Sequence, residues 1–322
     1  HTHTHTHTHT VTRIADLGGK FDGLHVSLYL TQRTPSSNTS SNTEIANRVR
    51  CITSADAIRD IETLRAKYVA RELKPLSNAG LRFVDHFTFA HRLAVRGKMN
   101  MNFFDFYNNW QTYKTKKYII NLITFYKNDE SPKTIYKIYN LAINSIHAFR
   151  PATALQLFDR FKPTHVLDPC AGWGGRAVAA HVYGCRYTGY DCNIDLAASY
   201  RHMSVRLGDK LKLCIADSLL IDYTKLKKYD CVMTSPPYYA LERYANNQMF
   251  KSDDEMDDRF YFPLFATLQA HLAPGGWIIL SINEKMYRRV FSILYGPPHE
   301  TIPLTSYKRA VDYNEYIYAW QK

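Results

Sequence analysis

At 322 residues and 45% apolar content, the chain is long enough to bury a full core in one large or two ordinary domains. No apolar run approaches a membrane span and no signal-peptide pattern is visible, so the expectation is an intracellular protein, cytoplasmic or nuclear, with no membrane partner. The net charge of +12 is concentrated early: residues 11–150 carry 21 Lys+Arg against 11 Asp+Glu and residues 151–322 carry 20 against 18, which suits the first half either to a polyanion or to a solvated lysine-rich face.

The opening HTHTHTHTHT, residues 1–10, alternates strictly and reads as an affinity tag, so its histidines enter no metal argument. Residues 11–44 read as a flexible N-terminal segment and linker, ending in the Ser/Thr/Asn-rich "TQRTPSSNTSSNTE". Residues 45–149 have helical texture. "SADAIRDIETLRAKYVARELK" places Ala57, Ile58, Ile61, Leu64 and Tyr68 at helical spacing, with Ser54 as its N-cap. "FDFYNNWQTYKTKKYIINLITFYK" and "PKTIYKIYNLAINSIHAF" predict further helices. The first carries Lys114, Lys116 and Lys117 among aromatic rings, a combination that suits phosphates and stacked bases; the same helices also suit a simple buttress for the C-terminal half.

From residue 150 to 322, strand-length apolar runs alternate with helical segments: "THVLDPC", "RYTGYDC", "KLCIAD", "YDCVMTS", "GGWIILSI" and "NEYIYAW". This alternation predicts an α/β domain on a mostly parallel sheet with helices on both faces. The six cysteines, Cys51, Cys170, Cys185, Cys192, Cys214 and Cys231, form no CxxC pair, which argues against a zinc site and against a disulfide framework, and no metal is expected.

Ligands of such sheets bind where loops leave the carboxyl ends of the strands. After "HVL" comes "DPCAGWGGRAVAA", in which Asp168 closes the strand and Gly172, Gly174 and Gly175 let the backbone approach a ligand. It matches neither a dinucleotide GxGxxG nor a Walker loop. After "YTGY" comes Asp191, placed to take both hydroxyls of a ribose, followed by Cys192. After "LCIA" comes Asp217 with Ser218, suited to an adenine amino group. Each acid taken singly is equally a helix N-cap. Three in consecutive units, behind a glycine loop, favour an adenosine-containing ligand. The next strand ends in "TSPPYYALERY", a rigid diproline corner followed by two aromatic rings.

In this order, "FRPATAL", "DPCAGWGGR", "GYD", "IADS" and "TSPPYY" resemble the class I S-adenosylmethionine-dependent methyltransferases, in the branch that methylates amino groups of nucleic-acid bases. The resemblance covers a little over half the chain, and "TSPPYY" is closest to the Ser-Pro-Pro-Tyr pattern of N4-cytosine DNA methyltransferases. It implies a Rossmann-like seven-stranded, mostly parallel sheet over residues 150–322, with the helical N-terminal region added to it. It implies S-adenosyl-L-methionine as cofactor, with its ribose on Asp191, its adenine on Asp217 and Ser218, and its methionine portion on the loop Asp168, Cys170, Ala171, Gly172, Trp173 and Gly174. Arg150 falls where a contact to the cofactor carboxylate is often found. Ser235 Oγ and the Pro236 carbonyl would grip the hydrogens of an exocyclic amine, Pro237 would stiffen the turn, and Tyr238 with Tyr239 would receive a base flipped out of its stack.

The expected partner is therefore nucleic acid, DNA before RNA, and the expected product is N4-methylcytosine. Adenine N6, an RNA base, and a non-catalytic subunit of a heteromeric methylase are the alternatives. The order departs from the family, because the glycine loop precedes Ser-Pro-Pro-Tyr and little chain remains after it for a recognition domain. Recognition then falls to residues 45–149. The acidic run Asp253, Asp254, Glu255, Asp257, Asp258 lacks the pattern of a calcium loop and reads as a solvated mobile flap, while Lys308 and Arg309 lie between the last two strands.

Overall fold

Apolar runs that are buried on both faces pair as parallel strands, and here they build one seven-stranded sheet. The computed structural model describes residues 38–74, 76–97, 100–143, 146–239, 250–304 and 315–322, with side chains from Ser41 onward. The chain divides into two units, 1–41 and 42–322, and the second holds the sheet. The strands are β1 (His165–Asp168), β2 (Arg186–Asp191), β3 (Leu211–Ile215), β4 (Cys231–Thr234), β5 (Trp277–Asn283), β6 (Glu300–Pro303) and β7 (Glu315–Gln321). Their order is β3-β2-β1-β4-β5-β7-β6. Strands β1 to β5 run parallel, and β7 enters antiparallel between β5 and β6. This is the expected Rossmann-like α/β sheet. Its topological switch point lies between β1 and β4, because the chain first builds outward through β2 and β3 and then returns.

The helices in chain order are α1 (Asn38–Val49), α2 (Ser54–Val69), α3 (Leu81–Ala94), α4 (Phe103–Asn108), α5 (Trp110–Tyr113), α6 (Lys117–Phe125), α7 (Pro132–Ala142), α8 (Pro151–Phe161), α9 (Gly175–Tyr183) and α10 (Ala197–Leu207). Then come α11 (Asp253–Met256), a π-helical turn Asp257–Tyr261, α12 (Phe262–His271), α13 (Glu284–Met286), a second π-helical turn Tyr287–Phe291, and α14 (Ser292–Tyr295). Among the described residues no helix is long and apolar enough to cross a membrane.

Alternation along the strands separates two cores. Val166, Met233 and Ile279 face α8, α9 and α10, while Leu167, Val232 and Ile278 face the layer containing α12 and the second π turn. The first core does not stop at residue 150. Ala57, Ile61 and Leu64 of α2 and Phe83 and Val84 of α3 join it, so part of the N-terminal region is an outer layer of the sheet. A third core, made of Ile45, Ala46 and Val49 of α1, Phe89 and Leu93 of α3, and residues of α4 to α7, stands apart from both.

Three local expectations change. The polar stretch expected to be linker is helical from Asn38, because Ile45, Ala46 and Val49 anchor α1 to the third core. The helix expected over 104–127 is broken into α4, α5 and α6, with Asn109 accommodating the first break. The cap of α2 is Thr53, not Ser54: its hydroxyl accepts from the Asp56 amide at 3.1 Å and its own amide donates back to the Asp56 carboxylate at 3.0 Å. The predicted tag and Lys308 and Arg309 lie outside the described residues.

Candidate active site

The loop between β1 and α9 is built on a buried ion pair. Asp168 is fully buried, and Arg176, just past the glycines, is 3% exposed. Arg176 Nε donates to Asp168 Oδ2 at 2.6 Å and Nη2 donates to the Cys170 carbonyl at 2.6 Å. Tyr187 Oη donates to Asp168 Oδ2 at 2.6 Å, and the Cys170 amide donates to Oδ1 at 3.2 Å. A buried carboxylate with this many donors is satisfied. Asp168, expected among the cofactor contacts, therefore shapes the loop from beneath. Two glycines are required by geometry. Gly174 has φ of 85°, and a Cβ on Gly175 would lie 2.0 Å from the Phe149 carbonyl oxygen, so the segment before α8 closes directly onto the start of α9. Ala171 and Trp173 are buried in the first core.

Asp191 stands at the end of β2 and faces this loop. Its Oδ2 accepts from the Gly172 amide and its Oδ1 from the Asn193 amide, both at 2.9 Å. Burial pushes its carboxyl above the ordinary carboxylate range, against the opposing pull of those two amides. Tyr200 Oη donates to the Gly172 carbonyl at 2.6 Å, fixing the same glycine from α10. At the end of β3, Asp217 accepts from the Leu219 amide at 2.9 Å, and Ser218 Oγ donates to the Pro169 carbonyl. The three strand ends β1, β2 and β3 are thus tied into one rim. Cys192 is exposed beside Asp191. Burial, with Asp191 and Asp168 nearby, pushes the Cys170 thiol well up, away from the thiolate form that a nucleophile needs. Arg150 is half-buried, with Nε donating to Asn78 Oδ1 at 3.3 Å, which places it at the seam between the N-terminal helices and α8.

The diproline corner leaves β4, the neighbour of β1, so it sits across the switch point from the glycine loop. Ser235 is half-buried and Pro236 buried. Among the described residues, neither Ser235 Oγ nor the Pro236 carbonyl is engaged in a hydrogen bond, whereas the Pro237 carbonyl accepts from Tyr261 Oη. Tyr238 is half-buried and its hydroxyl donates to the Ser281 carbonyl of β5 at 3.1 Å. Tyr239, expected with Tyr238 at the substrate, is turned toward the acidic segment instead: its hydroxyl donates to Asp257 Oδ1 at 2.8 Å. That segment is no solvated flap. Asp257 is 5% exposed, and Asp253, Asp254, Glu255 and Asp257 pair with Lys285, Arg289 and Arg259.

Lys114, Lys116 and Lys117 belong to the α5–α6 region over the third core, apart from the rim. Lys114 pairs with Glu130 at 3.3 Å, and Lys116 and Lys117 are exposed. Arg176, Tyr187, Tyr200, Asp257, Tyr261 and Arg289 carry no sequence signal of a site role, with one exception. Arg176 lies in the glycine motif, and its position one residue past the last glycine points to it.

No protein-family model matches the sequence, and no curated protein does. Solved structures of similar fold include TrmN from Thermus thermophilus, 19% identical over 53% of this chain and 48% of that one, with a TM-score of 0.38. The N-methyltransferase NodS from Bradyrhizobium japonicum WM9 is 15% identical over 53% of this chain and 93% of its own, with a TM-score of 0.39. An RNA methyltransferase from Salinibacter ruber, solved with S-adenosyl-L-homocysteine, is 15% identical over 55% of this chain and 93% of its own, at 0.36. The chain spans about half the length of TrmN. These likenesses concern the fold alone, and the strand order of this chain rests on its own pairings.

Proposed function

We propose that the chain is an S-adenosyl-L-methionine-dependent methyltransferase acting on the exocyclic amino group of a flipped nucleobase, cytosine N4 in DNA first. The observation that carries this reading is the placement of the Ser235–Pro236 corner across the β1/β4 switch point from the glycine loop, with two acceptors that no described residue uses. Asp191, with one amide on each oxygen, keeps lone pairs for ribose hydroxyls, and Asp217 and Ser218 stand at the adjacent strand end. The Asp168 to Gly174 loop, held from below, would take the methionine portion. When bound, the cofactor supplies an electrophilic methyl on a sulfonium. Ser235 Oγ and the Pro236 carbonyl would accept the two amino hydrogens and turn the nitrogen lone pair out of the ring, without the reorganisation that water would need. The nitrogen so held would be placed to take that methyl, the sulfur keeping the electron pair of the broken bond, and the proton it loses would pass to water. Tyr238, tethered through its hydroxyl to β5, offers a fixed ring for the flipped base.

The test is mass spectrometry of nucleosides from DNA and RNA incubated with the protein and labelled cofactor. N4-methylcytosine from DNA supports the reading, and a methylated RNA base moves it to the alternative polymer. Absence of any methylated base, with cofactor still bound, removes it.

Two further results are expected. Asp191→Asn should lower cofactor affinity at least tenfold by calorimetry, with a smaller fall in the thermal midpoint of the free protein, because Asn can accept only one of the two backbone amides that Asp191 accepts. Linkage adds a pH trend: a carboxyl whose folded pKa lies above its unfolded value favours the folded state only below its titration, so the wild type's advantage in midpoint over the variant should narrow as pH rises through the raised value. A midpoint that falls as far as the affinity does would contradict this.

For nucleic acid, Lys116→Glu with Lys117→Glu should weaken binding and flatten its salt dependence, by about 0.9 in log–log slope for each duplex phosphate that is no longer neutralised. Fluorescence anisotropy across a salt series reads both. Unchanged affinity and slope would assign these helices to buttressing only. Cutting the chain at residue 150 is a poorer probe, because it strips α2 and α3 from the sheet's own core.

A further inference from the structure

The diproline corner is held by two π-helical turns that pack against each other. We propose that Tyr261 and Asp257 of the first turn and Arg289 of the second are positioning residues for the corner. The proposal rests on the reading of Ser235 and Pro236 as the acceptors of the target amine.

Four hydrogen bonds carry it. Tyr261 is fully buried and its hydroxyl donates to the Pro237 carbonyl, which fixes the plane of the peptide after Pro237. Two residues along the chain, Tyr239 has φ of 22°, outside the regions a tyrosine ordinarily occupies. Such a conformation persists only where its surroundings over-determine it, and here they do. The Tyr239 hydroxyl donates to Asp257 Oδ1 at 2.8 Å, and Arg289 Nε donates to that hydroxyl at 3.3 Å and to Asp257 Oδ2 at 2.9 Å. Lys285 Nζ lies 4.9 Å and Arg289 Cζ 5.7 Å from the centroid of its ring, and Tyr261 stands edge-on to it at 5.6 Å.

The division of labour depends on which oxygens are used. Tyr261 takes the Pro237 carbonyl, and Tyr239 is clamped two residues further on. The Pro236–Pro237 segment is thereby held, and among the described residues the oxygens of Ser235 and Pro236 stay available. A π turn inserts one extra residue into a helix and re-aims the side chains around it, and such turns are frequent at functional sites. In this molecule the first turn begins with Asp257 and ends with Tyr261, and both side chains reach the corner.

Tyr261→Phe removes one hydroxyl and keeps the ring, so folding should survive. In the full chain, with labelled cofactor and the DNA or RNA shown to be a substrate, kcat should fall tenfold or more. KM for the nucleic acid and cofactor affinity by calorimetry should stay within twofold. Arg289→Ala should show the same split, and Arg289→Lys, which keeps a charge on Asp257, should recover most of the turnover. A wild-type kcat in Tyr261→Phe overturns the proposal while leaving the methyltransferase reading intact. So does a parallel loss of kcat, cofactor affinity and thermal midpoint, which is what a purely structural role predicts. Wild-type protein that binds cofactor and methylates no base overturns the functional reading and this proposal together.

Discussion

Arg176→Ala is expected to destabilise the protein by about 3–5 kcal/mol, the cost of leaving one member of a buried ion pair without its partner. The wild-type arrangement is saturated: Arg176 serves Asp168 and the Cys170 carbonyl, and Asp168 also accepts from Tyr187 and the Cys170 amide. Removing the guanidinium leaves a carboxylate at the end of β1 with no cation, inside a core that α2 and α3 close from outside. It also frees the Cys170 carbonyl, so cofactor affinity should fall with stability. Urea unfolding monitored by tryptophan fluorescence reads the first effect and calorimetry the second. A change below about 1 kcal/mol, the range of an exposed pair, would show that the pair does not anchor the loop.

The second large effect is expected at the corner itself. Ser235→Ala should reduce the single-turnover rate by about 10²–10³, the range found when one preorganised hydrogen-bonding group is removed from a reaction centre. Pro236→Ala should act in the same direction, because the carbonyl survives but its fixed aim does not. Cofactor affinity should be retained in both, since Asp191, Asp217 and the glycine loop leave other strands. Calorimetry showing affinity lost while the rate of the bound enzyme is kept would reverse these assignments and make the corner part of the cofactor pocket.

Much of this frame was legible because it depends on local pattern. Strand-length apolar runs that end in Asp mark both the parallel sheet and the rim where its loops emerge, and Pro-Pro fixes a corner without help from distant residues. What was not legible depends on contacts made across the fold. Tyr261 reaches Pro237 from 24 residues away and Arg289 reaches Asp257 from 32, and no spacing rule connects them. The acidic run looked solvated because its partners, Lys285 and Arg289, lie beyond β5. Helix α1 was hidden for the opposite reason: its first half is polar, and three apolar residues in its second half hold it. Asp168 and Tyr239 read as ligand contacts because motif position reports proximity to a site but not which way a side chain is committed.

The interior shared by α2, α3 and α8 to α10 bears on how this protein can be re-engineered. A designer wishing to exchange the N-terminal helices cannot cut where the sequence texture changes, near residue 150, since the sheet would be left with an open flank. The workable exchange unit is the outer cluster of α1 and α4 to α7, with α2 and α3 kept as part of the chassis.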